Sequence, residues 1–202
     1  YKSVNQCNAV IESLENNDIP GLDEDLKTRF LAESLFIRAH YFYHLVQQFG
    51  DIPMPLKPTN SVETTAHKTK VDEVWNQIVT DLEFAVENLP ETYQASEFGH
   101  ITKYAAMHHL SRVYLTLKRS DDDLKKALNY AEQVINSGKY SLVKSHAELW
   151  DINNKNNSEV FFSVLYTQNA ELNGDGNTAH MYFCSAYSEE HPAVKRVIEY
   201  GR

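Results

Sequence analysis

The chain has 202 residues and a formal net charge of −9, from 28 acidic and 19 basic side chains; 42% hydrophobic content is enough for one good core and too much for a disordered chain. No run approaches the about 18 consecutive apolar residues that a membrane-spanning helix needs, and the scattered, outnumbered lysines and arginines argue against nucleic acid as the main partner. Two cysteines, Cys7 and Cys184, stand too far apart in sequence to form a metal or redox motif.

In chain order, Tyr1 to Leu14 reads as the end of a helix, with Val4, Ala9, Val10, Ile11 and Leu14 as its apolar positions. The start at Tyr1, without initiator Met or apolar signal core, reads as a piece of something longer. From Phe30 to Phe49 the positions Leu31, Leu35, Ala39, Phe42, Leu45, Val46 and Phe49 recur at steps of three and four, and Gly50 is a natural left-handed stop. Arg38 interrupts that apolar helix. It either snorkels to water or pairs with Glu33 or Asp51, the carboxylates in reach by sequence. Pro53, Pro55 and Pro58 then impose an extended connector of about twenty residues, long for a plain loop.

Val71, Val74, Trp75, Ile78, Leu82, Ala85, Val86 and Leu89 fit the amphipathic helix template without a miss; Thr69 and Asp72 have the form of a capping box, and Pro90 ends the run. A third such helix follows Thr102, read as its cap, and carries Ala106, Leu110, Val113, Tyr114 and Leu117. A fourth, with Leu124, Ala127, Leu128, Ala131, Val134 and Ile135, follows the acidic Asp121-Asp122-Asp123 and closes at Gly138. The small residues Ala105, Ala106, Ala127 and Ala131 give these helices the look of tetratricopeptide pairs, although the turn between them reads as several residues too long. Near 159–166 the period changes: Val160-Phe161-Phe162-Ser163-Val164-Leu165-Tyr166 is a β-branched and aromatic run that reads as one strand in need of a partner.

Taken together, the block from Ala32 to Val46 running into Gln48-Phe49-Gly50-Asp51-Ile52-Pro53 resembles the hallmark of the SusD/RagB family. Further blocks follow in that family's order: Asp81-Leu82-Glu83 to Asn88-Leu89-Pro90, Gly99 to Ala106 with Arg112-Val113-Tyr114-Leu115, Ala127 to Ile135 with Ser137-Gly138-Lys139-Tyr140-Ser141-Leu142, and Ser158 to Val164. The resemblance implies a mainly α fold of TPR-like helix pairs with a short β element near 159–166, and one SusD-like helical domain over 1–202 within a longer chain. It also implies a surface-exposed outer-membrane lipoprotein of Bacteroidetes, without enzymatic activity. Such a protein captures oligosaccharide or polysaccharide and delivers it to a SusC-like TonB-dependent transporter. The alternative is a TPR-like scaffold gripping a partner protein in a helical groove.

Glycan recognition needs flat rings against sugar C–H faces and amides or carboxylates for hydroxyls. Tyr41, Tyr43, Tyr114 and Tyr130 sit at helical packing spacing and read as core, so the glycan-binding candidates fall on loop-rich chain: Asn169, Asn173, Asn177, Tyr182 and Tyr187. The sequence carries no G-x-S-x-G, H-E-x-x-H, C-x-x-C, P-loop or dinucleotide fingerprint, so no catalytic residue is assigned; a glycoside hydrolase ranks last. No cofactor is called for. His40 and His44 share a helical face and would need a third ligand to hold zinc, while adjacent His108 and His109 point apart; packed or surface histidines are the reading, and no metal is assigned.

Overall fold

The segment with the cleanest periodicity forms a helix with its apolar face wholly inside: Val74, Ile78, Leu82 and Ala85 are all at zero exposure. The computed structural model describes residues 1–61, 65–151, 153–154 and 156–164. Internal contacts divide the chain into two units, Tyr1–Ser163 and Val164–Arg202, and every element below belongs to the first. In order these are α1 (Lys2–Glu15), α2 (Glu24–Phe49), α3 (Val71–Asn88), a 3-10 turn (Ala95–Glu97), α4 (Lys103–Leu117), α5 (Asp121–Asn136) and the single-turn α6 (His146–Leu149).

Among these, α1 packs on α2, α2 on α3, α3 on α4 and α4 on α5. Each helix therefore buries its stripe against chain neighbours, the packing logic of a helical repeat array. Small residues permit the closest approaches, with Ala39, Ala85 and Ala106 at zero exposure. The turn between α4 and α5 is only Lys118 to Ser120, shorter than the sequence suggested, because Lys118 takes a left-handed conformation (φ 42°) that reverses the chain at once.

Local capping follows the sequence in most places. Thr102 Oγ1 accepts from Ala105 N at 3.1 Å. Ser120 Oγ accepts from Asp123 N at 3.3 Å while the Asp123 carboxylate accepts from Arg119 N at 2.9 Å. Helix α2 starts before Phe30, since the Asp23 carboxylate caps Asp25 N and Leu26 N. The start of α3 departs from expectation. Thr69 is taken up in a bridge with Ile52, and the Asp51 carboxylate, accepting from Val71 N at 2.9 Å and from Lys70 Nζ at 3.1 Å, caps the helix in its place. These hydrogen bonds hold the Asp51 carboxyl below its ordinary value.

The proline-rich connector between α2 and α3 is strapped to α1 rather than left loose. Tyr1 Oη donates to Pro53 O at 3.0 Å, Asn5 Oδ1 accepts from Thr59 N at 2.7 Å, and Asn8 Nδ2 donates to Pro55 O at 2.8 Å. Asn8 is itself buried, and its Oδ1 accepts from Arg38 Nη1 at 3.2 Å. Arg38 does not snorkel, and neither Glu33 nor Asp51 is its partner: its guanidinium grips Asp81 of α3 through two 2.8 Å bonds.

Three sequence expectations meet a different outcome. Tyr41 is 39% exposed, on a side of α2 that no described helix covers. Leu128 and Ile135 of α5 are exposed as well, since α5 packs on α4 through Ala127 and Val134 and its other apolar edge meets no described element. The described part of the expected strand, 159–164, forms no ladder; its rings instead pack on the helices, Phe161 and Phe162 lying against the core. Residues 165 and 166 lie outside the described residues.

Candidate functional site

Polar side chains of α2 anchor the connector that forms one wall of a cavity. Arg29 and Glu33 share a face of α2, one helical turn apart, with Nε to Oε1 at 3.9 Å. Glu33 then receives two groups from the connector between α3 and α4: Tyr93 Oη donates to Oε1 at 2.9 Å, and His100 Nδ1 lies 3.0 Å from each carboxylate oxygen. Arg29 Nη1 reaches Glu97 Oε1 at 3.2 Å. Burial and the Glu33 charge together push the Tyr93 phenol above its ordinary value. The connector is thus pinned near both ends to one helix. Between the pins the chain makes the 3-10 turn and passes through Gly99, whose φ of 109° is open to glycine and strained for other residues.

The facing wall comes from the chain after α5. Tyr140 Oη is 2.9 Å from Thr102 Oγ1, and the Tyr140 ring stacks on Phe161 at 4.2 Å, which stacks in turn on His108 at 4.5 Å. Ser141 N donates to Ser158 O at 3.0 Å, drawing 156–163 alongside. Between the walls lies a cavity of about 410 Å³ whose lining includes Gln94, Phe98, Lys139, Tyr140, Asn156 and Phe161. Its volume and its mixture of rings with a few polar groups suit a small polar organic ligand.

The histidines form a separate, drier cluster. His40 lies 4.6 Å from His44 and 5.3 Å from His109, ring to ring, with Phe36 and Phe162 also against His40. Burial, reinforced by the neighbouring His44 and Arg112, lowers His40 to about 4; burial with His40 and Arg112 nearby lowers His109 to about 3. Both are neutral packing groups at ordinary pH. His109 Nε2 is buried with no hydrogen-bond partner among the described residues. Among those residues no group of three or more His, Cys, Asp or Glu side chains is arranged to hold a metal ion.

The candidates Asn169, Asn173, Asn177, Tyr182 and Tyr187 all lie outside the described residues. The cavity brings together other residues of the same chemical types. Tyr93, Gln94, Phe98 and His100 carry a usable signal in sequence, rings and an amide on non-helical chain beside a glycine, but a weaker one than the Asn-rich C-terminal stretch.

Comparison with known proteins gives a consistent result. The sequence model of a SusD-like family, described as starch-binding associating with outer membrane, matches residues 1–115. A SusD-like protein P25 of Formosa agariphila is 25% identical over 169 residues, covering 83% of this chain and 31% of that protein. A solved laminarin-binding SusD-like protein is 28% identical with a TM-score of 0.71, covering 81% of this chain and 36% of its own. A solved structure with xylogluco-oligosaccharide is 26% identical with a TM-score of 0.75, covering 83% of this chain and 34% of its own. The chain therefore spans about a third of the length of the proteins it matches.

Proposed function

The chain belongs to the SusD-like family, and from that premise we propose that it is the helical part of a glycan-capture protein at the bacterial outer membrane. In this reading the whole protein is a surface-exposed lipoprotein, and the 202 residues form one helical domain of it. It binds oligosaccharide and hands it to a SusC-like TonB-dependent transporter, cleaving nothing. The observation that carries the reading is that structural neighbours which share most of this chain are a laminarin-binding protein and a structure with xylogluco-oligosaccharide. The cavity's rings and amides are the groups such a ligand requires.

The helical array has its own place in this scheme. Helices packed chiefly on chain neighbours among the described residues leave long outer faces, and those faces are the surface offered to the transporter, whereas irregular chain meets the sugar. Two measurements test the proposal on the protein at full natural length. Isothermal titration against a polysaccharide panel is expected to give heat with at least one glycan, and affinity capture from native outer membranes is expected to recover a TonB-dependent transporter. Silence across the panel overturns glycan capture. Recovery of soluble partners alone would favour the scaffold reading instead.

A further inference from the structure

Within the cavity, groups committed to building its walls separate from groups left to meet a ligand. Tyr93 has its hydroxyl on Glu33 and its ring flanked by Arg29 at 5.4 Å and His100 at 5.3 Å. Tyr140 has its hydroxyl on Thr102 and one face on Phe161. The Asn157 amide donates to Asn154 O at 3.0 Å and accepts from Glu159 N at 3.1 Å, and Ser158 is bonded to Ser141. Phe98 is different: it is 36% exposed, ends the 3-10 turn, and stacks on no other ring among the described residues. Among those residues the side chains of Gln94, Lys139 and Asn156 also make no hydrogen bond, and all three line the cavity with Phe98.

We propose that Phe98 is the platform on which an uncharged pyranose unit of the glycan lies, with the Gln94 and Asn156 amides and the Lys139 ammonium pairing its hydroxyls. This rests on the glycan-capture reading and narrows it. A phenyl ring with an open face attracts the C–H-lined side of a sugar, and carboxamides both donate to and accept from hydroxyls. The exclusion of charge follows from which charged groups line the cavity. Uronates and sulfate esters are best recognised by a guanidinium fork. Among the described residues no arginine lines the cavity; Arg29, which anchors the connector, has its Nη1 on Glu97 Oε1 at 3.2 Å. Glu91 and Glu97 also line the cavity, so an anion there would face carboxylates with only Lys139 uncommitted.

The experiment is isothermal titration of the full-length protein and of Phe98→Ala, Phe98→Tyr and Gln94→Ala, against laminarin, xylogluco-oligosaccharide, further neutral polysaccharides and polygalacturonate. The expected result is binding of a neutral glycan, weakened about tenfold by Phe98→Ala, retained by Phe98→Tyr and weakened by Gln94→Ala. Because Phe98 is a half-exposed ring on a turn, an unchanged melting temperature in Phe98→Ala separates lost contact from lost fold. A neutral glycan bound equally well by Phe98→Ala and Gln94→Ala would overturn the proposal and leave glycan capture standing. Preference for polygalacturonate would overturn the uncharged class. Heat with none of the glycans would remove both this proposal and the reading beneath it.

Discussion

Arg38 and Asp81, 43 residues apart in sequence, meet through two parallel hydrogen bonds of 2.8 Å at a point where their side chains are only 6% and 2% exposed. Gln77 Nε2 donates a further bond to Asp81 at 2.8 Å, and Asn8 supplies the third side of the guanidinium. Burial pushes the Asp81 carboxyl up, against the pull of Arg38. The pair locks α2 to α3 and, through Asn8, reaches the strapped connector.

Removing one partner strands the other in a dry interior. Asp81→Ala is expected to cost about 3–5 kcal/mol in urea denaturation, whereas the double change Arg38→Met with Asp81→Leu is expected to cost far less. Equal losses for the two variants would count against a buried ion pair whose cost lies in isolation.

The buried histidines predict acid sensitivity. With folded values of about 4 for His40 and about 3 for His109, against an ordinary 6.5, the unfolded chain binds protons in that interval that the folded chain refuses. Their contribution is fully present above pH 6.5 and is lost as pH falls from there through the folded values. Urea midpoints measured between pH 7 and 4.5 should fall, and His109→Gln should flatten that fall. An equally steep fall in the variant would place the acid sensitivity elsewhere.

Gly50 closes α2 at φ 67° and ψ −120°, with open space where a side chain would project. The cost of Gly50→Ala is therefore backbone strain alone, about 1–2 kcal/mol. At Gly138, φ 64° and also open, Asn is expected to be tolerated better than Ala, since Asn enters the left-handed region more readily. Chemical denaturation of the three variants checks both statements.

The turn into α5 is held by Ser120 Oγ, which accepts from Asp123 N, and by the Asp123 carboxylate, which accepts from Arg119 N. Ser120→Ala should cost about 0.5–1 kcal/mol, and Ser120→Asp little. Hydrogen exchange should localise the loss to the first turn of α5; a change spread over α4 would show that the cap supports the hairpin as a whole.

The sequence revealed helices wherever one face carries the apolar residues, as in α3, because period and burial coincide there. It did not reveal which carboxylate Arg38 takes, since the choice among Glu33, Asp51 and Asp81 is made by helix packing across 43 residues. Nor did it reveal that Thr69 would yield its capping place to Asp51, because the antiparallel bridge with Ile52 brings that carboxylate over the start of α3. Leu128 and Ile135 show the limit of periodicity: it marks an apolar edge and is silent on whether anything covers it. The cavity was hardest to foresee, for its organising residue, Glu33, looks like an ordinary helix-surface acid until Tyr93 and His100 arrive from 60 and 67 residues away.

The anchoring of that connector has a practical corollary. Tyr93, Glu97 and His100 are moored to Arg29 and Glu33 of α2, whose opposite side is committed to the helical interior, while Gln94 and Phe98 project between the moorings. The stretch is in effect an interchangeable tip on a fixed handle. If the cavity takes the glycan as proposed above, grafting a different residue at 94 or 98 is expected to retune which sugar is preferred without disturbing the frame that presents it.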